Sequence, residues 1–136
     1  MKKTIEKTSL YEIEFALQND SPERIKELIM EYKSVKSEKF FGMKAIFLLT
    51  VVVDYLIELR NKEKKDISLS VYQNCLTLDK IIEISESKNL YPLESLKAKH
   101  YLDQLPGYIS GKSAYFQSNM TKDQHDKIKK VISLDK

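Results

Sequence analysis

The chain has little cysteine, glycine or proline: one, three and three residues respectively, with no tryptophan, in 136 residues. A lone thiol, Cys75, excludes an intramolecular disulfide and any thiolate-rich metal site, and it fits a reducing cytoplasm. Scarce glycine and proline argue against an all-β fold, which needs many turns, and for helices joined by short connections. Excess charge of one sign is scarce too. Against 23 Lys and Arg stand 20 Asp and Glu, and the net +3 permits contact with nucleic acid or anionic lipid without demanding it. No apolar run follows Met1-Lys2-Lys3, so the start does not read as a signal peptide.

What the chain does have is one long apolar stretch, Phe40 to Leu59. Apolar residues fall on every face of a helical wheel, which describes a helix enclosed by other helices. Val51-Val52-Val53 is β-branched and alone would suit a strand, but no turn signal interrupts the surrounding run. Lys44 and Asp54 bracket an uncharged core, Ala45 to Val53, far shorter than the ~20 residues a bilayer span needs. The expectation is an all-α fold. It is a single domain over 1–136, a compact bundle of about six to seven helices around a long buried central helix at about 38–61.

Around that helix the caps and breaks set the order. A first helix over Ser9 to Gln18 carries Leu10, Ile13, Phe15 and Leu17. Ser21 as N-cap and Pro22 as first residue open a second helix to about Tyr32, with Ile25, Leu28, Ile29 and Tyr32 inward. Past the polar turn Lys62 to Asp66, a short element holds Ile67, Leu69, Val71 and Tyr72. Thr77 caps a helix with Leu78, Ile81, Ile82 and Ile84 inward, ending near Asn89. Pro92 opens another, its expected face Leu93, Leu96, Tyr101 and Leu102 or Leu105, closed by Pro106-Gly107. The C-terminal loop and helix occupy about 106–133. Tyr108 to Asn119 reads as a surface loop, and Thr121 with Gln124 has capping-box spacing ahead of Ile128, Val131 and Ile132.

Motifs that would carry chemistry are weak. Gly107-Tyr108-Ile109-Ser110-Gly111-Lys112-Ser113 approaches a phosphate loop, but only three residues separate its glycines and a helix, not a strand, precedes it. His100 and His125 are the only histidines and stand at no metal-ligand spacing. His100, beside Tyr101, reads as a partly exposed packing residue. A Cys75–His nucleophile pair has nothing in the sequence to support it. The expectation is therefore no enzyme activity, no metal and no cofactor. Three lysine clusters remain: Lys2, Lys3 and Lys7; Lys62 to Lys65; and Lys127, Lys129 and Lys130. Acidic residues interleave with them, so a mixed-charge surface is the simple account. If they converge beside Tyr108, Tyr115 and Phe116, the same residues would hold single-stranded nucleic acid by charge and stacking.

Five stretches, in order, resemble one module. Ser21-Pro22-Glu23-Arg24-Ile25-Lys26-Glu27-Leu28-Ile29 is similar to an N-P-x-R-I-x-x-M-I start. Asp54-Tyr55-Leu56-Ile57-Glu58-Leu59-Arg60-Asn61 resembles L-x-x-L-R-D, and Ile67-Ser68-Leu69-Ser70-Val71 a short L-x-L-S-x stretch. Leu76-Thr77-Leu78-Asp79-Lys80-Ile81-Ile82-Glu83-Ile84 is similar to L-x-L-D-x-L-I-x-L. Tyr101-Leu102-Asp103-Gln104-Leu105-Pro106-Gly107-Tyr108, the most specific, resembles Y-L-x-x-L-P-G-Y. Thr121 to His125 then resembles T-x-x-Q-H, after which Asp126-Lys127-Ile128-Lys129 departs from the module's Gly and Tyr. The module is the all-helical domain inserted in the motor of TraD- and DotL-like type IV coupling proteins, the ATPases that pass DNA or protein substrates to conjugation and type IV secretion channels.

The resemblance implies a substrate-recognition domain without a nucleotide site of its own, attached to a parent motor at the cytoplasmic face of the inner membrane. Its partners would be DNA, a relaxase–DNA complex or secreted proteins. Candidate contacts are Tyr108, Lys112, Tyr115, Phe116, Lys127, Lys129 and Lys130, and the isolated domain is expected to be monomeric. The alternative from a different class is a free-standing helical adaptor or secretion chaperone that takes a partner helix in an apolar groove, for which an exposed apolar patch would be the sign.

Overall fold

Helices in this chain begin where a short polar side chain or a proline can take care of the first unpaired N–H groups. In the computed structural model, which describes residues 9–35, 40–109 and 118–134, this is seen at six helices. Ser9 caps α1 (Leu10–Asn19), Ser21 with Pro22 starts α2 (Pro22–Lys33), and Ser68 caps α4 (Leu69–Asn74). Thr77 caps α5 (Leu78–Ser85), Pro92 opens α6 (Pro92–Asp103), and Ser118 caps α7 (Asn119–Ile132). The remaining helix, α3 (Phe40–Glu63), is the central one and runs two residues later than expected at each end. The fold is all-α, and no strand occurs among the described residues.

Helices α2, α4, α5, α6 and α7 all pack on α3. Ala45, Leu48, Leu49, Val51, Val52, Val53, Leu56 and Ile57 are buried, which requires neighbours on most of its circumference. Met43, Phe47 and the partly exposed Asp54 bring one line of α3 to the surface, and its last turn, Asn61 to Glu63, is exposed. No helix among the described residues is long and apolar enough to cross a membrane.

Polar side chains tie the layers together where helix ends would otherwise leave unpaired groups. Arg60 of α3 donates Nη1 to the Leu17 carbonyl at 2.9 Å and Nη2 to the Asp20 carbonyl at 3.0 Å, which satisfies the C-terminal end of α1. Glu14 accepts the Leu69 N–H at 3.2 Å and so serves the first turn of α4. Asp54 receives Lys97 of α6 at 2.7 Å and Lys26 of α2 at 3.4 Å, a strap across the outer line of α3. Asp54→Ala is expected to lower stability by about 1–2 kcal/mol, since a partly buried lysine loses its partner. Urea unfolding followed by helical circular dichroism measures this, and an unchanged midpoint would refute it.

Four expectations change. Phe15 and Tyr32 point outward, while Ala16 takes the inward place on α1. Leu93 and Leu96 also face outward, and the inward face of α6 is Glu94, Ser95, Ala98, Tyr101 and Leu102. The reason is close approach: Ser95 Oγ donates to the Ser85 carbonyl at 2.6 Å, a distance that only small side chains between α5 and α6 allow. Helix α5 ends at Ser85, with a turn through Leu90, rather than near Asn89. Finally, α7 is capped by Ser118, so Thr121 sits in its first turn and is not the cap; the complete capping box lies instead at Ser9 and Glu12.

Candidate partner-binding surface

The outward face of α6 carries exposed leucines. Leu93 and Leu96 are each 64 % exposed and lie on one stripe with His100, preceded by the equally open Leu90. The stripe continues onto α3, because the Phe47 ring meets the His100 ring edge-on at 5.4 Å and Met43 lies one turn before Phe47. Helices α3 and α6 run antiparallel here: Lys44 Nζ reaches the Gln104 carbonyl at 3.5 Å, and Lys97 reaches Asp54 further along. The result is a two-helix ridge of leucine, methionine and phenylalanine, flanked by the exposed Lys97 and Lys99. Scattered surface leucines need no explanation, but a contiguous run rimmed by charge is the usual form of a protein-docking surface.

The other sequence-derived candidates do not gather there. Tyr108 is half-buried against the core. Burial pushes its phenol above the ordinary value. Lys127 and Lys130 are exposed on α7, with Asp123 and Asp126 one turn before them respectively, and Lys129 is half-buried. Lys112, Tyr115 and Phe116 lie outside the described residues, as do Lys2, Lys3 and Lys7. In the second cluster Lys62 donates to the Leu90 carbonyl at 2.9 Å and lies 5.2 Å from the Tyr91 ring centre, and Lys65 pairs with Glu63. Sequence reasoning missed Leu90 and misplaced Leu93 and Leu96. The signal available was Ser95 and Ala98 at helical spacing, small residues that mark a close helix contact.

His125, which stands at no metal-ligand spacing in the sequence, is buried at the centre of a clasp that holds α7. Its Nε2–H donates to the Leu76 carbonyl at 2.6 Å, so Nδ1 is the acceptor and the Tyr101 hydroxyl donates to it at 2.8 Å. Burial is the main cause that lowers its pKa below 6.5, with Lys129 adding to the effect and the Leu76 bond and Asp126 opposing it. The Thr121 hydroxyl donates to the Pro106 carbonyl at 2.5 Å, the Tyr72 hydroxyl to the Ile132 carbonyl at 2.7 Å, and Gln73 bonds both Ser133 and the Leu134 N–H. With both nitrogens engaged, the imidazole has no free lone pair to serve as a base. Burial also pushes the Cys75 thiol up to about 11, which keeps it protonated and unreactive at neutral pH. No group of three or more metal-ligating side chains occurs among the described residues.

Comparison with family models, with curated proteins and with solved structures finds no match to this chain.

Proposed function

We propose that this chain is a recognition domain that docks a protein partner on the α3/α6 ridge and performs no chemistry itself. The observation that carries the reading is the leucine stripe Leu90, Leu93 and Leu96, left open to solvent beside Phe47 and Met43. A stripe of aliphatic side chains recognises other apolar side chains, not a phosphate backbone, so it favours a protein over DNA as the bound species. The resemblance to the all-helical domain of type IV coupling proteins supplies the finer form of the proposal. In that form the domain, at the cytoplasmic mouth of a motor, receives a secreted protein or the relaxase of a relaxase–DNA complex. The clasp supports it indirectly: Tyr101 bonds His125 and Pro106 bonds Thr121, so two of the stretches that resemble that module meet in one contact.

The test pairs two variants. Leu93→Ser with Leu96→Ser is expected to leave helical content and unfolding unchanged, since both side chains are exposed, and to weaken binding of the relaxase or of secreted proteins by about tenfold or more. Lys127→Glu with Lys130→Glu is expected to leave that binding within about twofold. Binding untouched by the leucine changes would remove the ridge from the proposal. Salt-sensitive DNA binding abolished by the lysine changes would move the cargo to nucleic acid. A free-standing adaptor that takes one amphipathic partner helix is the second reading, favoured by the same exposed stripe. It predicts a stable one-to-one complex in gel filtration without any motor protein present.

A further inference from the structure

A concave surface between α1 and α2 differs in chemistry from the ridge. Tyr11, Glu12, Phe15, Asp20, Arg24 and Leu28 line a groove of about 310 Å³ between α1 and α2. Tyr11 is 79 % exposed and Phe15 58 %, and their spacing of four residues puts both rings on the same side of α1. The floor, Leu28, is buried. An open aromatic pair over a dry aliphatic floor is the arrangement in which anchoring side chains of a partner gain most.

The groove is also held rigid. Ser9 and Glu12 close a reciprocal capping box at the start of α1, with bonds of 3.0 and 3.1 Å. At the other end, Arg60 fixes the α1–α2 corner through the Leu17 and Asp20 carbonyls. A preformed site loses little order when it binds.

Its charge selects the occupant. Arg24, the one cation of the lining, pairs with Glu27 at 2.7 Å and also lies in the field of Asp20, so Glu12 and Asp20 against Arg24 leave the lining with a net charge of −1. Residues 9–35 as a whole carry Glu12, Glu14, Asp20, Glu23, Glu27 and Glu31 against Arg24, Lys26 and Lys33; six against three gives −3, in a chain that is +3 overall. The volume is at the low end for ligand sites, which suits a short linear segment with one or two anchoring side chains.

We propose that the α1/α2 groove binds a short peptide segment in which aliphatic side chains are flanked by lysine or arginine. The aliphatic groups enter between Tyr11, Phe15 and Leu28, and the cations meet Glu12 and Asp20. The site is independent of the α3/α6 ridge, so a chain with both would hold two segments, or two partners, at once.

Two ten-residue peptides test this on the whole chain by amide-resolved NMR titration. One carries two leucines and four lysines, and the other carries glutamate for each lysine. The lysine peptide is expected to shift the amides of Tyr11, Phe15 and Arg24, and to bind about tenfold tighter than the glutamate peptide. Phe15→Ser and Glu12→Lys are each expected to weaken it by about fivefold or more while the spectrum outside α1 stays in place, because both side chains are exposed. Equal binding of the two peptides, shifts centred on α6 or α7 instead, indifference to both substitutions, or no binding at all would each overturn the proposal.

Discussion

Gly107→Ala is expected to lower stability by about 2–4 kcal/mol, a large change for a position at the protein surface. Gly107 has φ +77°, a conformation that an L side chain adopts only with strain. An added Cβ would also lie 2.1 Å from Ser118 Oγ and 3.0 Å from Thr121 Oγ1. Neither hydroxyl is free to give way. Ser118 Oγ caps α7 by accepting the Thr121 N–H at 3.2 Å, and it sits 3.0 Å from Thr121 Oγ1, which in turn bonds the Pro106 carbonyl. Displacing Ser118 removes a helix cap, worth about 1 kcal/mol, and loosens the contact between the α6 terminus and the α7 start. Urea midpoints read the loss directly. Adding Ser118→Gly to the alanine variant should recover part of it, because glycine is a tolerable cap and the clash disappears. A change under about 0.5 kcal/mol for Gly107→Ala would mean that the turn relaxes without cost.

Pro106-Gly107 was legible as a helix stop because its signal is local: a missing N–H and a glycine at the helix end. The same is true of Ser21-Pro22 and Thr77, whose side-chain bonds to Arg24 and Lys80 amides stand where the sequence places them. The enclosure of α3 was legible for a different reason, since apolar residues on all faces leave no wet side to expose. What sequence periodicity could not show is which of two faces turns inward when both are partly apolar. On α6 the leucines lose that competition to Ser95 and Ala98, because α5 approaches too closely for larger groups. Ser118 and Thr121, three residues apart, both suit a cap, and Pro106 decides between them by accepting the Thr121 hydroxyl. His125 was illegible for a further reason. Its partners, Leu76 and Tyr101, lie far away in the chain, and one of them is a backbone carbonyl that no residue pattern advertises.

That buried imidazole makes mild acid the condition under which the fold weakens. In the folded chain His125 is neutral, donates through Nε2 and accepts through Nδ1. Protonation would place a cation among buried groups and force the Tyr101 hydroxyl to reverse from donor to acceptor. Because burial holds its folded pKa below the ordinary 6.5, the unfolded chain binds the proton more readily. The contribution to stability is therefore complete above pH 6.5 and falls as the pH drops below it, by at most about 1.4 kcal/mol per pH unit until the folded group also titrates. His125→Leu should be less stable by about 2–4 kcal/mol at pH 7.5, since the Leu76 carbonyl and Tyr101 hydroxyl lose their partner. Its stability should also vary less between pH 7 and pH 5 than that of the unchanged chain. Tyr101→Phe removes only the donor to Nδ1 and should cost about 1 kcal/mol at neutral pH while retaining most of the acid sensitivity, because the main cause is burial. Urea midpoints at pH 8, 7, 6 and 5 for the three proteins separate these outcomes. Parallel curves for the unchanged chain and His125→Leu would show that another group governs the acid response.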